Sequence, residues 1–598
     1  MAEILKRSEV NEKYTWDLTR LFKNEEEYQK AVKEVGGLID TFVKKYQGSI
    51  NNAKDINNSL NDYREIITKL RYVGSYQSLH SSVDQTNEVN IKRGGELGVF
   101  YGNISKKLAF YLPSLKELDD KILLEASKDL ENSLFIKEII KDKKHSIPKD
   151  IEQALSEFSQ VLDAPYSNYQ LFKLSDMRFN SFKANDKDYN LSFSNFENDW
   201  SYDSNHEVRR NAFKAFYDKL GEYENGLANN YQTHVLTEKA YANLKGFDSV
   251  IDYLLYEQDV TRDMYDRQID LIMEHLSKPM QKFALLLKDI YGLEEMTYAD
   301  LHLAVDDSFE PKVTIEEASE YAIKALNFYG SEYQEMVKTA FKERWIDFPQ
   351  NVGKSTGGFC SSPYRKGSYI LLNWNSLMSE VFVLAHELGH AGHFHYAGMN
   401  QNIFNTRTSL YFIEAPSTMN ELVLAGYLKK NNDDLRFQRW VLSSLISRTY
   451  YHNFVTHLLE AAYQREVYRR IDAGKPLSAS VLNNLKLDVL KKFWGDAVTI
   501  PDYVGRTWMR QPHYFMGLYP YTYSAGLTIA TATYTKIQNQ ELSVDKWLDV
   551  LKAGGSKAPL DLAKIVDLDL SSEKPLLATI TAISNIIDEI AVLTEKLK

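Results

Sequence analysis

The run VFVLAHELGHAGHFHY at residues 381–396 decides how the chain is read. Residues 381–385 are apolar and Ser379-Glu380 precede them, so a helix starting near 377–380 is expected. His386 and His390 stand four residues apart. On a helix they differ by about 40° around the axis, so both imidazoles point the same way and can share one metal ion. Glu387 lies about 100° from His386, beside such an ion rather than on it. From there its carboxylate can hold a water molecule and take its proton. Four of the 13 histidines fall within residues 386–395, which favours a shared task over scattered packing roles.

A catalytic zinc needs a third protein ligand and an open position. The pattern H-E-x-x-H-x-x-G-x-x-H fails, because positions 393 and 396 hold His393 and Tyr396. His393 is seven residues from His386, about 10.5 Å along a helix, too far for one ion to reach three histidines on one straight helix. His393 and His395 are therefore read as packing near the helix end or as supporting the metal site from outside its ligands. Glu414 is better placed. It lies 24 residues after His390, in FIEAPSTMNELVLAGYL (412–428), where Pro416 suits the first turn of a second helix. Packed against the first helix, it brings a carboxylate to His386 and His390. Glu421, two turns further on the same face, is a candidate for orienting a ligating histidine.

Upstream, NVGKSTGGFCSSPYRKGSYILLNWN (351–375) departs from helix. Gly357-Gly358 and Arg365-Lys366-Gly367 punctuate two extended runs, so a small hairpin is expected. An exposed strand edge there can hold a peptide by main-chain hydrogen bonds, with Gly357 and Gly358 permitting close approach. Gly353-Lys354-Ser355 resembles the end of a phosphate-binding loop, but its first glycine would fall at Phe348, so nucleotide binding is rejected. The one cysteine, Cys360, lies on this hairpin and reads as a small buried apolar side chain.

Downstream, RQPHYFMGLYPYTYSAGLTIATATY (510–534) lies within the longest uncharged region, Tyr514 to Thr535. Its tyrosines, threonines and Pro520 make it too polar for a membrane span. His513, Tyr519, Tyr521 and Tyr523 are candidate donors to a developing oxyanion or to substrate. Tyr519 and Tyr523 share a face whether the stretch is helical or extended; Tyr521 joins them only if it is extended.

The rest of the chain supports a mainly helical protein. In NDYREIITKLRYVGSYQSLHSSV (61–83) apolar residues recur at three- and four-residue steps. Polar breaks fall at KDKKHSIPKD (141–150) and FKANDKDYNLSF (182–193), and a long helical region follows from 205. A boundary near 190–200 divides an N-terminal helical domain, 1–195, from a catalytic domain, 196–598. Gly and Pro number 28 and 14 of 598 residues, well under the usual share, so long elements are expected. The net charge of −11 argues against a nucleic-acid partner. A single cysteine fits a reducing compartment, and the charged start of the chain gives no signal peptide, so a cytoplasmic protein without a membrane partner is expected.

HELGHAGH followed by EAPSTMNEL resembles the thimet oligopeptidase family of zinc endopeptidases, most closely its bacterial oligoendopeptidase F branch. The matching positions are His386, Glu387, His390 and Glu414, with Pro416 and Ser417. The resemblance also takes in SNHEVRRNAFKAFY (204–217), the hairpin and the tyrosine-rich segment. It implies a mainly helical, zincin-like fold with a deep central channel for short unfolded peptides, one zinc ion, and cleavage of internal bonds. It also implies that His513 and the tyrosines contact substrate and oxyanion, with Tyr523 and His513 as catalytic donors and Tyr519 and Tyr521 toward substrate. A zinc exopeptidase and a non-catalytic helical peptide-binding protein are the alternatives. The first lacks a free-amine motif of the G-x-M-E-N type, and the second leaves Glu387 without a purpose.

Overall fold

The computed structural model describes residues 5–598. Three long helices open it: α1 (Glu25–Tyr46), α2 (Ala53–Val83) and α3 (Glu88–Leu108). Asn24, Asn52 and Asn87 cap them, each side chain accepting a first-turn backbone N–H. The periodicity at 61–83 becomes a buried face, with Ile66, Leu70, Val73 and Tyr76 all buried. These helices and the short ones after them close one apolar core running from Val35 to Ile139. A second, much larger core runs from Tyr169 to Leu593. The apolar packing thus changes over between Ile139 and Tyr169.

Residues 182–193, read as a polar break, contain an antiparallel hairpin, β1 (Phe182–Ala184) and β2 (Lys187–Tyr189). Asn185 and Asp186 both take left-handed backbone conformations, which Asn and Asp tolerate in a two-residue hairpin turn. The other sheet holds β3 (Ile346–Pro349), β4 (Phe359–Ser361) and β5 (Tyr369–Trp374), in the order β3–β5–β4. β4 and β5 are the expected hairpin, and β3 adds a parallel strand on the other side of β5. The central strand is buried on both faces, in alternation. Tyr369 and Leu371 meet Trp16, Val73 and Tyr76 of the N-terminal region, whereas Ile370 and Leu372 join the large core.

Lys354 of the rejected phosphate-loop string has a structural task. Its ammonium is buried 2.7 Å from Asp347 of β3, and Arg7 stands 2.5 Å from the same carboxylate. Lys354 also donates to the Pro349 carbonyl at 2.7 Å.

Among the many helices of the C-terminal region, five bear on the histidine helix and its surroundings: α4 (Ser379–Asn400), α5 (Ala415–Lys430), α6 (His457–Asp472), α7 (Pro520–Gln538) and α8 (Lys574–Lys596). α4 crosses α5, and α7 lies against α5, α6 and α8. The uncharged segment thus becomes a core helix. Ser524, Ala525, Gly526 and Ala530 are all buried in it, where small side chains let neighbours approach. α8 is long and apolar enough by composition to cross a membrane. Here one face of it, including Ile580, Ile583, Ile587 and Ile590, is buried against the other helices. The fold is mainly helical with a small sheet beside the histidine helix, as the sequence leads one to expect.

Candidate active site

His386 and His390 project from the middle of α4 toward the turn that starts α5. Their Nε2 atoms lie 3.4 and 3.3 Å from one oxygen of Glu414. Donors about 2.0–2.1 Å from one tetrahedral ion stand about 3.3–3.4 Å apart, so the spacing is that of a ligand set. Glu414 is the residue just before α5, and Pro416 occupies its first turn, as the sequence suggested.

Two glycines allow this approach. A methyl group on Gly389 would come within 2.6 Å of the Ser417 Cα, and one on Gly526 within 2.9 Å of the Glu414 Cβ. The Glu414 turn is therefore clamped between α4 and α7 at backbone distance. Gly389→Ala is expected to cost about 1–3 kcal/mol in urea unfolding, the range for overpacking, because the obstructing atoms are backbone and cannot swing aside. An unchanged midpoint would show that α5 shifts freely.

Behind the histidine pair, His386 Nδ1 donates to Glu421 at 2.6 Å, and the Thr449 hydroxyl donates to the other Glu421 oxygen. That bond fixes the tautomer and leaves Nε2 bare for a metal. Glu387 is buried, with one carboxylate oxygen that has no hydrogen-bond partner. Burial raises its pKa, and the neighbouring carboxylates Glu414 and Glu421 add to the rise. An unpartnered, buried oxygen beside two bare imidazole nitrogens and a carboxylate fits a site built for a cation and a water molecule.

The cleft over these groups has a volume of about 720 Å³. Gly358, Phe359 and Cys360 form one wall, and Tyr519 and Tyr523 another. β4 is an edge strand, so one side of it is unpaired. Gly358 lines the cleft, and a methyl group there would sit 3.4 Å from the Glu387 carboxylate. Gly357 is the preceding left-handed turn residue; its carbonyl accepts from Asn373 at 2.8 Å. Cys360 is half-buried on this wall, its thiol pushed up to about 12 by burial.

Tyr519 and Tyr523 are half-buried, their rings 5.3 Å apart and 5.7 and 5.9 Å from His513. Burial raises both hydroxyl pKa values, so both stay protonated donors. Tyr521 corrects an expectation. Because 520–538 is helical, it points away from its two neighbours. It is fully buried beside Tyr265, and its hydroxyl donates to Gln258 at 2.5 Å. It does not reach the cleft. His393 is buried and His395 half-buried, and neither joins the three-donor group. Burial pulls the His393 pKa down to about 3.

Several cleft neighbours carried no motif in the sequence. Arg448, His452 and Asn453 line the cleft from a π-helical segment, Leu445–Thr456, and His457 with Glu460 follows on the first turn of α6. The irregular helical phase of that segment hides which side chains share a face.

Residues 200–582 match the model of Peptidase family M3, and residues 115–179 match that of Oligopeptidase F. The chain belongs to peptidase family M3. Proteins named oligopeptidase F or oligoendopeptidase F are among its relatives. It is 28% identical over 599 residues to Oligopeptidase PepF of Bacillus subtilis, covering 99% of this chain and 89% of the relative. It is 27% identical over 600 residues to an oligoendopeptidase F homolog of Borreliella burgdorferi, covering 98% and 99%. The crystal structure of oligoendopeptidase-F from Enterococcus faecium shares the fold, with a TM-score of 0.74 at 20% identity over 96% of this chain and 99% of that one.

Proposed function

We propose that this peptidase is a zinc-dependent endopeptidase that hydrolyses internal bonds of short unfolded peptides in the cytoplasm. The observation that supports it best is the ligand-like spacing of His386, His390 and Glu414 with the unpartnered Glu387 oxygen beside them. Those three residues would hold one zinc ion, which when bound supplies a polarised substrate carbonyl and an acidified water.

The chain's own groups do the rest. A peptide adding as a strand to the free edge of β4 brings its scissile bond over Glu387. Glu387 accepts the proton of the attacking water and passes it to the leaving amine. The Tyr523 hydroxyl, with His513, donates to the carbonyl oxygen as negative charge develops there, and Tyr519 borders the substrate. Short unfolded peptides suit this mode of binding, since only an extended backbone can pair with the free edge of β4.

The test is an internally quenched peptide blocked at both ends. Cleavage that stops with a chelator and returns with zinc supports the reading. Cleavage restricted to peptides with a free terminus, or indifferent to the chelator, would overturn it. Tyr523→Phe, which removes only the hydroxyl, is expected to lower kcat by about 10²-fold with KM little changed. A rise in KM at constant kcat would place that hydroxyl in ground-state binding instead.

A further inference from the structure

A second group of histidines stands behind the tyrosines of the cleft, unused by the reaction scheme above. His452 is exposed on the cleft wall. His457 and Glu460 are buried, at 1% and 3% side-chain exposure. His457 Nδ1 lies 2.8 Å from a Glu460 oxygen, and its Nε2 lies 3.2 Å from His452 Nε2. The same Glu460 oxygen stands 3.6 Å from His513 Nδ1, a buried nitrogen with no hydrogen-bond partner. The His457 ring stacks on Tyr523, with 4.1 Å between centroids and 17° between planes. One carboxylate therefore faces the imidazole that backs Tyr523 and the imidazole that borders both cleft tyrosines.

The hydrogen bonds have only one consistent arrangement. An ionised carboxylate accepts and cannot donate, so His457 Nδ1 carries the proton. Burial keeps His457 neutral, so its Nε2 is an acceptor and His452 Nε2 is the donor. Burial opposes the charge on Glu460, but the His457 and His513 imidazoles hold its pKa below the ordinary carboxylate range. Buried Lys486 also stands in its field. His457, Glu460 and His513 also lie close enough together to be considered as metal ligands. The 2.8 Å separation argues against that: it is a hydrogen-bond length, shorter than the 3.3–3.4 Å at the candidate zinc site.

We propose that Glu460 is the positioning residue of the oxyanion side of the cleft. It locks His457 as a fixed plate behind Tyr523, so that the tyrosine hydroxyl meets the developing charge already in place. The proposal rests on the reading that the Tyr523 hydroxyl acts on the oxyanion. Preorganised donors stabilise a transition state because they need no reorganisation when charge appears.

The test is Glu460→Gln in the full-length zinc-loaded enzyme, alone and combined with Tyr523→Phe, assayed on the blocked peptide. Gln keeps the volume and an acceptor for His457 but removes the charge. The expected result is one zinc per chain, an unchanged circular dichroism spectrum, KM within about threefold, and kcat lower by about 10- to 100-fold, the loss that outer carboxylates typically cause. The double variant is expected to be little worse than Tyr523→Phe alone, since the carboxylate works through that hydroxyl. If Glu460→Gln fails to fold, His457→Gln gives the same reading, because it removes the plate and leaves the carboxylate. Near-normal kcat in the Glu460 variant beside an impaired Tyr523→Phe would overturn the proposal and leave the oxyanion reading standing. Fully multiplicative losses would overturn it too. So would an impaired Glu460 variant beside a normal Tyr523→Phe, which also removes Tyr523 from the oxyanion. A second equivalent of zinc in the parent protein, lost in Glu460→Gln, would make Glu460 a ligand instead.

Discussion

Glu387→Gln is expected to keep the fold and one zinc per chain while lowering kcat by about 10²–10⁴-fold, the range that a positioned general base contributes. The substitution is nearly isosteric and lies in a confined place. Glu387 is buried, Gly358 sits against it, and one of its oxygens has no partner in the protein. No structural bond is lost at that oxygen, so stability is expected to hold. What is lost is basicity. An amide cannot take a proton from the attacking water, and it has none to return to the leaving amine. Burial raises the pKa of this carboxylate above that of a solvated glutamate, toward the range a general base needs. Turnover on the blocked peptide and metal content on the same sample check the prediction. A variant with near-normal kcat and full zinc would remove Glu387 from the proton-transfer role.

The histidine helix was legible because its information is local. A four-residue spacing on a helix fixes two imidazoles to one side whatever the rest of the chain does, and α4 obeys this. Glu414 was legible at longer range only because the intervening chain is short and Pro416 marks a helix start. Tyr521 shows the limit of that reasoning. Its side depends on whether 519–523 is helical or extended, and the threonines and tyrosines there suit both. The strand β3 was missed because four residues set no period, and its Asp347 is held inside by Arg7 and Lys354 from distant positions. Asn185-Asp186 did carry a turn signal, masked by the polar residues around it. Glu460 and His457 were invisible for a different reason. Their meaning comes from His513 and Tyr523, more than 50 residues downstream, which only the packing of α6 against α7 brings together.

The same dependence on packing makes the third ligand the sharpest test of the metal site. Glu414→Ala is expected to lower zinc affinity by well over the roughly 10- to 100-fold that loss of an outer partner causes, because a direct donor is removed. Two imidazoles on one helix cannot replace it. The carboxylates that remain are committed elsewhere: Glu421 accepts from His386 Nδ1 and Thr449, and Glu387 lies outside the three-donor group. His393→Ala and His395→Ala supply the controls. Both lie further along α4, and both are expected to retain one zinc per chain through dialysis that strips Glu414→Ala. Competition with a chromophoric chelator measures the affinities directly, without reference to peptidase activity. Stoichiometric zinc in Glu414→Ala, together with loss in His393→Ala, would move the third ligand onto α4 and require that helix to bend around the ion. The close seating of Gly389 against the Ser417 backbone is what makes that outcome unexpected, since it pins α4 to the very turn that carries Glu414.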